Sequence, residues 1–160
     1  MFSRLLCSAL LMVGIVVLSP AQAVHAAEPD GVVRLKSSYD MPETLKRLKK
    51  DVADKGIMFF SEIDQAKLAA DAGVTLLSST LLVFGNPPLG TLFLTSDPDA
   101  GLDWPVRLLV YQDKQGQVWV AYTDFAWIAR RHGIADRAKE FQMASEVIAS
   151  ITSTILPDSN

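Results

Sequence analysis

Cysteine is almost absent. The 160 residues hold one, Cys7, and it lies inside an apolar run at residues 5–18 near the start of the chain. Everything after that run therefore lacks a thiol. This excludes a disulfide framework, a thiolate nucleophile and a Cys-ligated metal or iron–sulfur centre. Histidine is scarce as well: His25 and His132 are the two in the chain. There is no C-x-x-C-H stretch, so covalent haem is excluded. An excess of positive charge is also missing, with 15 Lys and Arg against 18 Asp and Glu, a net −3. The single basic cluster, "KRLKK" at 46–50, reads as the wet face of a helix, and no nucleic-acid partner is expected. Repeats and low-complexity linkers are absent.

The apolar run at 5–18 is shorter than the roughly 18–20 residues that cross a bilayer comfortably. Arg4 precedes it, and "SPAQAVHAA" follows with a helix breaker and small side chains. That is the layout of a secretory signal peptide, with cleavage patterns at Ala21/Ala23 and Val24/Ala26. Residues 1–26 are therefore expected to be a cleaved signal and the protein to be periplasmic or secreted, with membrane contact only through an uncleaved signal. The remaining residues, 30–156, suffice for one domain with one core.

Periodicity outlines that domain. "GVVRLKSSYD" alternates Val33, Leu35, Ser37 and Tyr39 on one face, a strand. Asp40 is placed to cap a helix carrying Met41, Leu45, Leu48 and Val52 as its apolar stripe, with Pro42 in the first turn. "IMFFSEI" reads as a buried strand, followed by a helix capped by Asp64 with a small-residue face at Ala66, Ala69 and Ala70. A further buried strand is expected at 79–84. Leu89, Leu92 and Phe93 suit a short helix begun by Pro87 and Pro88, although "TLFL" alone would suit a strand. Runs at 105–112 and 117–123 flank "DKQG", a hairpin with Gly116 at its turn. Asp124 and Asp136 are placed to cap two last helices, the second with Phe141, Ala144, Ile148, Ile151 and Ile155 on one face. The order β-α-β-α-β-(α)-β-β-α-α predicts an α+β fold: a two-layer mixed β-sheet with helices packed on one face.

Few residues carry recognisable chemistry. "VFGNPPLGTL" (83–92) is poor equipment for a phosphate: it has no Lys, and two prolines remove N–H donors. Asn86 reads first as a helix N-cap, and secondarily, with Thr91, as a residue facing a cleft beyond the strand end. His132 follows Arg130 and Arg131 at a helix C-terminus, where it interacts well with the dipole. The sharper alternatives for it are a general base or a haem ligand. Asp97, Asp99 and Asp103 lack the calcium-loop pattern and suit turns and caps. Tyr122 ends a strand, where its hydroxyl can reach a cleft.

Four segments in order carry a family resemblance: "GIMFFSEIDQAKLAADAGVTL", "LLVFGNPPLGT", "LDWPVRLLVYQDKQGQVWVAYTD" and "IARRHGI". Over about residues 31–155 the chain resembles the domain-of-unknown-function 302 family, DUF302. The matching landmarks are Phe84, Gly85, Asn86, Pro87, Gly90, Thr91, Asp103, Pro105, Arg107, Tyr122, Arg131, His132 and Gly133. In the family a His often follows the Asp of the I-D-H segment; here Gln65 stands in its place, which weakens any role built on two histidines. The resemblance implies a small α+β domain of mixed sheet, often dimeric, and no particular reaction.

Together these readings predict an exported, non-enzymatic domain that binds a small molecule or a partner protein, with a homodimer expected and no cofactor or metal. Its binding residues are expected to be Asn86, Thr91, Arg107, Tyr122 and His132. One alternative is a hydrolase-type enzyme using His132 oriented by Asp103 or Asp124. Another is a dimeric structural or stress-related scaffold.

Overall fold

In a computed structural model the described residues are 29–157. The expected signal at 1–26 lies outside them. Five strands, β1 (Val32–Lys36), β2 (Met58–Asp64), β3 (Ser79–Gly85), β4 (Val106–Gln112) and β5 (Val118–Thr123), form one sheet in the order β1-β5-β4-β3-β2. Five helices accompany them: α1 (Met41–Asp54), α2 (Gln65–Asp71), α3 (Pro87–Ser96), α4 (Phe125–Arg131) and α5 (Ala138–Ser153). A 3-10 turn at Pro98–Leu102 links α3 to β4.

The α+β class and the element order agree with the sequence, but the sheet is not mixed. Every neighbouring pair is antiparallel. The α1 crossover does leave β1 and β2 pointing the same way. However, β5, β4 and β3 all come to lie between them, so the two co-directional strands end at opposite edges.

Local chemistry sets the element ends. Asp40, Asp64 and Asp124 each accept a hydrogen bond from the backbone N–H three residues on, capping α1, α2 and α4 as their positions predict. Asp136 does not cap α5. Arg137 holds that position without a side-chain cap, and Asp136 instead accepts from the Ser96 hydroxyl of α3 at 3.0 Å. At the hairpin, Gly116 has φ +82°, and the Asp113 carboxylate accepts from the Gln115 and Gln117 N–H groups.

The core lies between the sheet and the helices. Strand residues Val33, Leu35, Leu82, Leu108, Val110 and Val120 meet Leu48 and Val52 of α1 and the α5 stripe of Phe141, Ala144, Ile148 and Ile151. Phe93 and Phe141 stack with centroids 4.1 Å apart, joining α3 to α5. Beneath α1, the Ser37 and Thr44 hydroxyls pair at 2.7 Å, so neither buried polar group is left alone.

β2 departs from expectation. Its run of apolar residues reads as a buried strand, yet Met58, Phe59, Phe60 and Ile63 are all exposed. It is the last strand of the sheet, its register shifts between Phe59 and Ser61, and α2 beside it buries no residue. Eight of the ten large apolar side chains exposed on the described surface fall between Met58 and Leu77.

Candidate functional site

The loop 83–92 is built around Trp104. A Cβ placed on Gly90 would lie 1.8 Å from the indole Nε1, and one on Gly85 would lie 3.1 Å from it. Both glycines thus leave room for a ring delivered from the far side of the 3-10 turn. Asn86 holds the N-cap position of α3 but makes no side-chain cap bond. The cause is local: Pro87 and Pro88 have no N–H to offer, and the next two donors, Leu89 and Gly90, bond to the Asn86 carbonyl instead. The expected cap is therefore replaced by an exposed carboxamide.

That carboxamide stands at a cavity of about 330 Å³, within the usual range for small-molecule sites. Phe84 and Val106 of the sheet, Leu89 and Phe93 of α3, and Ala144, Val147, Ile148 and Ile151 of α5 form its walls, with Trp104 among them. Lys55 and Asn86 are the two lining residues with polar side chains other than the Trp104 indole N–H. They lie at the same end of the sheet, because Met58 pairs with Gly85 and the chain before the one meets the chain after the other. Lys55 Nζ is bound to the Asp51 carboxylate at 2.6 Å.

A second cluster centres on Asp103. His132 Nε2 donates to Asp103 Oδ2 at 2.7 Å, with both side chains 5 % exposed. Arg131 reaches the same carboxylate at 3.1 Å and Arg107 at 3.5 Å. His132 Nδ1 lies 3.7 Å from Asp97 Oδ2. Both ring nitrogens are thus directed at carboxylates, and no Ser or Thr hydroxyl among the described residues bonds to His132 or Asp103. Asp124, the other expected orienter, caps α4. The space beside Asp103 and Arg107 is only about 10 Å³, room for about a single water and not for a substrate. This geometry locks the C-terminus of α4 to the turn before β4.

The five expected binding residues therefore separate. Asn86 lines the large cavity. Arg107 and His132 meet at Asp103. Thr91 donates to the Pro87 carbonyl on the exposed side of α3. Tyr122 is half-buried, and that burial pushes its hydroxyl above the ordinary value of 10.0, partly opposed by a hydrogen bond to Thr152 of α5. Sequence reasoning missed Trp104 and Lys55. The paired glycines at 85 and 90 were a signal that something bulky packs there, but not which residue.

The profile described as "Domain of unknown function DUF302" matches residues 33–153. The chain belongs to the DUF302 family. Its fold is similar to the crystal structure of an uncharacterised conserved DUF302 protein from Bacillus stearothermophilus, with a TM-score of 0.70 and 16 % identity over 78 % of this chain and 98 % of that one. The DUF302 chain is also 35 % identical over 104 residues to proteins named fluoride-specific ion channel FluC 1 from Brucella suis and Brucella abortus. It covers 65 % of this chain but only 41 % and 38 % of theirs. No helix among the described residues is long and apolar enough to cross a membrane.

Proposed function

We propose that this DUF302 domain is a non-enzymatic binder of a small apolar molecule, held in the cavity between β3, α3 and α5. The observation that carries the reading is a preformed 330 Å³ space with almost wholly apolar walls and its few polar groups gathered at one end. Export of the protein is part of the proposal and is supported by the apolar run at 5–18 with the small residues after it. The test is fluorescence of the neutral probe N-phenyl-1-naphthylamine. Wild-type protein should bind it and brighten it; Ala144→Phe, which fills the cavity from α5, should not. Equal brightening by both proteins would remove the cavity as the site.

A second reading, a homodimer, is favoured by the exposed apolar surface from Met58 to Leu77. Surfaces of this kind mark partner contacts, and β2 offers unpaired backbone groups along its edge. Sedimentation should give twice the monomer mass, falling to the monomer for Ile63→Lys. A hydrolase reading draws support from the Asp103–His132 contact alone, with no Ser or Thr hydroxyl among the described residues bonded to either. Fluoride conduction, named for the longer Brucella proteins, is not carried over to this chain.

A further inference from the structure

The polar groups at the cavity differ in whether they are already satisfied, and this narrows the ligand. The Trp104 indole N–H has no acceptor among the described residues. No fully buried side-chain nitrogen or oxygen lacks a partner there either. The indole N–H therefore reaches open space, and Trp104 lines the cavity. The Asn86 carboxamide, likewise unbonded, lies on the same side of the sheet end. Lys55 is the one cation at the cavity, but Asp51 already neutralises it at 2.6 Å.

From this arrangement we propose that the ligand is a neutral apolar molecule with one hydrogen-bond-accepting oxygen, a medium-chain ketone, aldehyde or ester, and not a carboxylate. The proposal rests on the binding reading above. Its oxygen accepts from Trp104 Nε1–H and from the Asn86 amide, and its hydrocarbon body fills the space lined by Leu89, Phe93, Val147 and Ile148. A neutral donor pair satisfies a carbonyl fully. A carboxylate there would lose hydration and gain no free cation, because the one Lys at the cavity is already paired with Asp51. The size agrees: a cavity of about 330 Å³ lies in the range of small-molecule sites and has room for a chain of eight carbons and its oxygen.

The experiment is displacement of N-phenyl-1-naphthylamine by n-octane, 2-octanone and octanoate at pH 8, on the full protein and on Asn86→Leu and Trp104→Phe. 2-Octanone should displace the probe at concentrations about tenfold or more below octanoate. Each variant should weaken 2-octanone by about three- to tenfold more than it weakens n-octane, the range of one neutral hydrogen bond. The proposal is overturned if octanoate competes as well as the ketone, or if the variants weaken ketone and alkane alike. Binding of the probe with displacement by none of the three would also overturn it, while leaving an apolar site in place. Failure of the probe itself to bind would instead remove the binding reading on which it rests.

Discussion

Gly90→Ala tests the packing that shapes the cavity. Gly90 sits inside α3, where exchanging Gly for Ala normally stabilises a helix by about 1 kcal/mol. Here the added Cβ would lie 1.8 Å from Trp104 Nε1 and 2.2 Å from Cε2, well inside any real contact. A few tenths of an ångström of relaxation cannot absorb that overlap. The indole must leave its place against Gly85 and Gly90, and its lost burial costs about 1.5–3 kcal/mol by the usual measure for a large side chain. Overpacked cores lose about 1–3 kcal/mol. After the helix gain, a net loss of about 1–2 kcal/mol is expected, or a fall in Tm of roughly 4–8 °C at about 4 °C per kcal/mol for a domain of this size. The assay is chemical and thermal denaturation of Gly90→Ala alone and combined with Trp104→Ala. In the Trp104→Ala background the same substitution should turn neutral or stabilising. If the penalty is unchanged there, or absent in the wild-type background, the indole is not what the two glycines accommodate.

Other expectations follow from the remaining contacts. Asp103→Asn should cost about 3 kcal/mol in urea denaturation, because it strips the buried carboxylate that holds His132 and Arg131; a change under about 0.5 kcal/mol would contradict the clamp. The Trp119 indole N–H, with the backbone N–H groups of Gln117 and Gln115, holds Asp113 below its ordinary 3.8. Its folded value is depressed, so its contribution is present above 3.8 and is lost as the pH falls through the lower folded value. Wild type should therefore lose more stability than Asp113→Asn between about pH 4 and pH 2, and parallel profiles would refute this. Ile63→Lys should change oligomeric mass while shifting folding stability by no more than about 0.5 kcal/mol, as for an exposed position; a large loss would mean that β2 is structural rather than a contact surface.

The legible parts of the fold are those where local pattern and tertiary burial agree. The α5 stripe repeats at helical spacing, and its predicted face is the one against the sheet. The hairpin announces itself through Gly116 and the β-rich runs on each side. Three of the expected aspartate caps are present because the caps need only the next three residues. β2 was misread because an apolar edge strand has the same composition as a central one, and only the sheet order separates them. The expectation of a mixed sheet came from the β1-α1-β2 crossover, whose strands are indeed co-directional; nothing local says that three later strands will insert between them. At the site, Asn86 was found by position but given a cap that its own two prolines prevent. Trp104 was missed because it reaches Gly85 and Gly90 only through the fold of the intervening turn. The His132–Asp103 pairing was named as an enzyme's requirement, yet it is surrounded by Arg107, Arg131 and Asp97, which make it a clamp.

Whether the cavity carries a small apolar ligand is decided by native mass spectrometry of protein purified from its own source. Wild-type protein should carry an added mass of a size that fits 330 Å³, and Ala144→Phe purified in the same way should not. An unladen mass for wild type, together with no uptake of the neutral apolar probe, would contradict it.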